Sequence, residues 1–105
     1  MLRRLLKYQE DDPVLSFDIF EASYGGLWKA VQWHLEHGVD PNKEDENGWP
    51  PLMYAAYAGH VQTVLVLLDA GADGHIQDQG YTAFDWAKEK GHLEIQQMLQ
   101  LLHSA

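Results

Sequence analysis

Residues 48–73 read GWPPLMYAAYAGHVQTVLVLLDAGAD, and this stretch decides the fold. Gly48 falls where a tight turn needs positive φ, which glycine adopts at no steric cost. Pro50 and Pro51 follow, and proline is tolerated in the first turn of a helix. Leu52, Ala55 and Ala56 then mark a short helix whose small residues allow close approach to a neighbour. Gly59 ends that helix. Beyond His60, residues Val61, Val64, Leu65, Leu67 and Leu68 give an apolar face at helical spacing. Gly71 stops the second helix, and Ala72 and Asp73 begin the return to another turn. One such helix pair cannot bury its own apolar faces, so it must stack on others of its kind.

The neighbouring sequence supplies those others. Residues 80–102 read GYTAFDWAKEKGHLEIQQMLQLL, and residues 19–42 read IFEASYGGLWKAVQWHLEHGVDPN. Gly26, Gly59 and Gly91 come into register at separations of 33 and 32 residues. His60 and His92 each follow the aligned glycine. A repeat of this length is the mark of a stacked array.

These residues resemble the ankyrin repeat, whose pattern runs D-x-x-G-x-T-P-L-H-x-A-A-x-x-G-H into an apolar helix ending L-L-x-x-G-A-D. The resemblance spans roughly residues 17–102. Its signature positions here are Gly48, Pro51, Leu52, Ala55, Ala56, Gly59, His60, Gly71, Gly80, Thr82, Gly91 and His92. It implies an all-α fold: helix–turn–helix units joined by β-turn loops and stacked as one domain over residues 13–105. The units fall at about 16–43, 44–76 and 77–105. Residues 1–12 are expected to form an extra N-terminal amphipathic helix, with Leu2, Leu5, Leu6 and Gln9 on one face, capping the first unit. Three units are the usual minimum for such a stack. Polar Asp85, Lys88, Glu89, Lys90, Gln96 and Gln97 suggest that the third unit closes the other end.

Several positions depart from the pattern. In the first unit Phe17, Asp18, Ile19 and Phe20 stand where T-P-L-H is usual, and Trp28, Trp33 and His34 make its second helix bulky. In the second, Pro50 and Met53 replace Thr and His, which removes the family's hydrogen bond across the turn. In the third, Ala83 and Asp85 replace Pro and His, while Thr82 is kept. His75 stands where Asn is usual, after Gly74. These changes bear on the turns and leave the architecture intact.

The composition limits the chemistry. The chain of 105 residues has no cysteine, which excludes disulfides, thiolate metal sites and cysteine nucleophiles. Its formal net charge is −9, which argues against a nucleic-acid backbone or an anionic membrane as partner. Arg3, Arg4 and Lys7 are three of the seven basic residues, so the remainder of the chain is more acidic still. No apolar run approaches the ~20 residues of a spanning helix. No secretory h-region follows the basic start, so a cytoplasmic location is expected.

Six histidines invite a search for metal. His34 and His37 lie three apart with Glu36 near, a spacing that places two imidazoles on one helix face. The resemblance instead gives His60 and His92 loop-backbone roles, and His37, His75 and His103 are scattered. No nucleophile elbow, phosphate loop or HExxH accompanies the His and Asp residues. Ser23 falls at an alanine position and reads as structural. Neither a catalytic residue, a metal nor a cofactor is expected.

What remains is a surface. Partners of ankyrin-like stacks usually meet the turn tips and first helices. The variable positions there are Tyr24 and Gly25; Glu46, Asn47, Trp49, Tyr57 and Ala58; and Asp78, Gln79, Tyr81, Glu89 and Lys90. Tyr24, Trp49, Tyr57 and Tyr81 are aromatic, a type enriched at binding hot spots. Glu44, Asp45, Glu46 and Asp78 surround them. The expectation is a protein-binding module, monomeric when free, with an acidic, aromatic-lined concave face for a basic partner. Tyr24, Glu46, Asn47, Trp49, Tyr57, Asp78, Gln79, Tyr81 and Glu89 are its contact residues. Other readings keep the same residues. Trp49 and Tyr81 would merely cover their own hairpins, or the acidic chain would neutralise a basic enzyme as an inhibitor or immunity-type protein. A scaffold role, and a small His- and acid-based enzyme or metal protein, are the remaining alternatives.

Overall fold

The computed structural model describes residues 12–103. The N-terminal helix expected over residues 1–12 therefore lies outside the described residues except for Asp12. Asp12 has extended backbone and caps a 3-10 turn, Pro13–Ser16, accepting a hydrogen bond from the Val14 amide.

Six α-helices follow: α1 Ile19–Gly25, α2 Trp28–Glu36, α3 Pro51–Ala58, α4 Val61–Asp69, α5 Ala83–Glu89 and α6 Leu93–His103. They pair as three helix–turn–helix units. The first helices pack side by side in the order α1, α3, α5, and the second helices form a parallel row behind them. Among the described residues the only β-structure is one antiparallel bridge between Asp78 and Tyr81. The all-α stack expected from the sequence is the observed architecture.

Capping explains where the first helices begin. Asp18 accepts from the Glu21 amide at 2.8 Å while Glu21 accepts from the Asp18 amide at 3.0 Å, a reciprocal capping box. Thr82 and Asp85 form the same box at α5, with the Thr82 amide 2.9 Å from Asp85 Oδ2. Asp85, in the histidine position of the pattern, thus closes its own helix. Helix α3 has Pro50 at its N-cap and no side-chain cap.

Small residues let the rows approach. Ala22, Ala30, Ala55, Ala56 and Ala87 are fully buried, and Ile19, Val31, Leu52, Val64, Leu67, Ile95 and Leu99 complete one core cluster with them. Fully burying a leucine-sized side chain stabilises by about 1.5–3 kcal/mol, so this core carries the fold.

Two expectations about apolar faces need correction. Leu65 is exposed, and the positions of α4 that are buried are Thr63, Val64 and Leu67. Val64 and Leu67 of the expected face are buried and Val61 and Leu68 pack half-buried against the core, so Leu65 alone falls outside it, and Thr63 joins the interior. The third unit is also a less complete polar end than expected. Lys88, Glu89, Lys90 and Gln97 are exposed, but so are Leu93, Leu101 and Leu102.

Candidate binding surface

The units are tied together by a repeated device. The aligned glycines end with positive φ, at +74° for Gly26, +85° for Gly59 and +78° for Gly91. The ring of the next unit's histidine lies against the first two. A Cβ on Gly26 would come within 2.6 Å of His60, and one on Gly59 within 2.5 Å of His92. From that position His60 Nε2 reaches the Tyr24 carbonyl at 2.9 Å, and His92 Nε2 reaches the Tyr57 carbonyl at 3.1 Å. The bond requires the proton on Nε2. Glycine and histidine thus act as one element, and the loop-backbone role expected of both histidines is what the geometry gives. Asn42 adds a second tie, accepting from the Asp73 amide at 2.7 Å.

The turn tips are built differently. Between α2 and α3, Asp45 organises the turn. Its Oδ1 accepts from the amides of Asn47 at 3.0 Å and Trp49 at 3.1 Å, and its Oδ2 accepts from the Tyr54 hydroxyl. These bonds replace the Thr–His contact that Pro50 and Met53 remove. Burial alone would raise the Asp45 carboxyl, but the bonds from Tyr54, Trp49 and Asn47 outweigh it and hold it below its ordinary value of 3.8. Burial, with Asp45 beside it, pushes the Tyr54 hydroxyl up. Between α4 and α5, Asp78 and Tyr81 exchange both backbone bonds at 2.9 Å across Gln79 and Gly80. This turn is one residue shorter than the Asp45–Trp49 loop, which accounts for the change of repeat spacing from 33 to 32. Gln79 adopts φ +54° and Gly80 +85°, the primed-turn geometry that a two-residue hairpin prefers.

Aromatic side chains run across the first-helix face from unit to unit. Tyr24 lies 6.3 Å from Tyr54 and 6.5 Å from Tyr57, ring centre to ring centre. Trp49 sits 4.9 Å from Tyr54, 5.6 Å from Tyr57 and 5.2 Å from Trp86. Tyr81 continues the run at 4.8 Å from Trp86. Such contacts between rings add to what area burial provides. Trp49 also donates its indole N–H to Asp78 Oδ2 at 2.9 Å, joining the two turn tips. It therefore does more than cover its own hairpin. Lys90 places its ammonium 4.7 Å over the Tyr57 ring.

The structure thus brings Tyr24, Tyr57 and Trp49 into direct ring contact, while Tyr81 joins them through Trp86; Trp86 and Tyr54, which packs on both Tyr24 and Trp49, were missed. Their signal was present. Tyr54 lies three residues before Tyr57 on one helix, and Trp86 occupies the same repeat position as Tyr54. Glu46, Asn47 and Gln79 are exposed at the tips, and Asp78 is half-buried beneath them. Glu89 lines a cavity of about 550 Å³ together with Gly80 and Tyr81 of the turn tip and with Asp85 and Lys88. The acidic groups divide by role: Glu44 and Glu46 are exposed, whereas Asp45 and Asp78 accept hydrogen bonds that hold the turns.

The histidine pair considered for metal does not converge. His34 Nε2 contacts the Phe17 carbonyl at 2.7 Å, while His37 stacks on Trp33 with ring centres 3.9 Å apart. Among the described residues no group of three or more His, Asp or Glu is placed to hold a metal ion. Nor is any helix among them long and apolar enough to cross a membrane.

The family model for ankyrin repeats, in three copies, matches residues 19–104. The chain belongs to the ankyrin-repeat family, whose members mediate protein–protein interaction and are generally not enzymes. It is similar to an ankyrin repeat-containing protein of Schizosaccharomyces pombe, with 37% identity over 59% of this chain and 30% of that one. It is 36% identical to protein phosphatase 1 regulatory subunit 12A of Rattus norvegicus, over 79% of this chain and 8% of the relative. It is also 36% identical to the DNA-binding protein RFXANK of Mus musculus, over 58% of this chain and 27% of the relative. The chain spans less than a third of the length of each of these relatives.

Proposed function

We propose that the chain is a protein-binding module whose first-helix face and turn tips receive a basic segment of a partner. The observation that carries this reading is the continuous run of aromatic rings from Tyr24 to Tyr81, with both end residues exposed. Rigid aromatics contribute much contact area for little lost entropy. Exposed Glu44 and Glu46 border the run and give it the sign that attracts Lys and Arg. In this reading the acids set association rate and selectivity, while the rings supply affinity. The module acts without cofactor or catalysis, in the cytoplasm, and is monomeric when free. Inhibition of a basic enzyme would be one consequence of covering its surface.

The test is calorimetric titration with a blocked octapeptide of alternating glycine and arginine. Trp49→Ala is expected to weaken binding by about 2 kcal/mol, as truncation of a hot-spot residue does. Because Trp49 also joins two turns, Tyr24→Ala serves as the second variant. Tyr24 is 55% exposed, so its loss should weaken binding while leaving the melting temperature nearly unchanged. The association rate should fall with added salt. Unchanged affinity in both variants contradicts the reading.

A further inference from the structure

Tyr57 has more ring neighbours than the exposed ends of the aromatic run. Tyr24, Trp49 and Trp86 lie 6.5, 5.6 and 5.3 Å from it. Its face already carries a cation, the Lys90 ammonium at 4.7 Å. Lys90 is the C-cap residue of α5, and its amide bonds to the Trp86 carbonyl at 3.0 Å. Its backbone is therefore fixed, while its exposed side chain is free to choose among rotamers. Holding a lysine side chain in one geometry costs conformational entropy of a size comparable to an exposed cation–π contact. The contact is weak enough to be displaced.

We propose that Lys90 is an internal competitor for the cation this face receives, occupying in the free chain the seat of a partner's arginine. The inference rests on the reading above and deepens it by naming both the anchor, Tyr57, and the arriving group. A guanidinium is better suited to the seat than a second ammonium. It is planar, more weakly hydrated and able to stack on an aromatic ring. Lys90 then sets a threshold: it excludes single weakly held lysines and yields to an arginine presented on a segment that also meets Trp49 and the exposed acids.

The experiment titrates the Gly–Arg octapeptide into the wild-type chain, Lys90→Ala and Lys88→Ala, following tryptophan fluorescence. Lys88 is the control, because its loss changes net charge equally, while its side chain lines the cavity beside Tyr81. Lys90→Ala is expected to bind about three- to five-fold tighter than wild type, the size of one exposed cation–π contact. Lys88→Ala should change affinity less than half as much. An equal gain in both variants, or weaker binding by Lys90→Ala, overturns the competitor and leaves the binding face standing. Saturable binding by none of the three proteins overturns the binding face itself.

Discussion

At the scale of single residues, Asp45 shows how a departure from the repeat pattern is compensated. Its carboxylate holds two amides and the Tyr54 hydroxyl in a turn whose usual Thr and His are missing. The folded value lies below 3.8, so the carboxyl stays ionised to lower pH in the folded chain than in the unfolded one. Its contribution is therefore complete above the unfolded value and is lost as pH falls through the folded value. Tyr54→Phe is expected to lower stability by about 1 kcal/mol at pH 7, the net size of an ordinary hydrogen bond, because the site is partly exposed. The gap from wild type should close as urea titrations are carried below about pH 4. A gap independent of pH would show that Asp45 does not hold the turn. The sequence made Asp45 visible as an acid near aromatics but not as the organiser of the turn. The bond that matters comes from Tyr54, nine residues away, and no local pattern marks it. His60 and His92 were legible because their partners recur at fixed repeat spacing.

At the scale of elements, the repeat register implied the three helix pairs but not the 3-10 turn Pro13–Ser16, and the apolar spacing of α4 misplaced Leu65. On α4 the apolar residues are so dense that several stripes satisfy a 3.6-residue period. Only packing against α2 and α3 selects the face with Thr63, Val64 and Leu67. Leu67→Ala is expected to cost about 2–5 kcal/mol, as deletions in tightly packed cores do. Leu65→Ala, at 47% exposure, should stay within about 0.5 kcal/mol of wild type. Urea denaturation of both variants checks this, and equal losses would contradict the exposed position of Leu65 on α4. The aromatic run is likewise an element-level property. Tyr54 and Trp86 join it because the same repeat position faces the same way on α3 and α5. One aromatic per unit is easily seen in sequence, whereas the rings between them emerge only when helices are set side by side.

At the scale of the whole molecule, the stack is asymmetric. Gly26 and Gly59 each receive a histidine ring from the next unit, whereas a Cβ on Gly91 would meet nothing within 4 Å among the described residues. Both Gly59 and Gly91 have positive φ, so alanine at either costs about 1–2 kcal/mol in backbone strain. Gly59→Ala must also displace the His92 ring and its bond to Tyr57, adding about 1 kcal/mol. Thermal melts of the two variants should therefore separate, with Gly59→Ala the less stable. Coincident melts would mean that the histidine seats do not hold the units together. The repeat order and the glycine registers were legible from spacing alone, since stacking is periodic. The division of the acids into exposed and hydrogen-bonded groups was not, because it depends on tertiary contacts, from Tyr54 to Asp45 within a unit and from Trp49 to Asp78 between units.

The central claim is that the first-helix face, and not the second-helix row, receives a cationic partner. The four tryptophans report on it directly. Trp49 and Trp86 lie in the aromatic run, while Trp28 and Trp33 belong to α2. Titration of the Gly–Arg octapeptide, followed by the indole N–H resonances in proton–nitrogen correlation spectra, should shift Trp49 and Trp86 saturably and leave Trp28 and Trp33 nearly in place. Saturable shifts confined to Trp28 and Trp33, or none at Trp49 and Trp86, would contradict it.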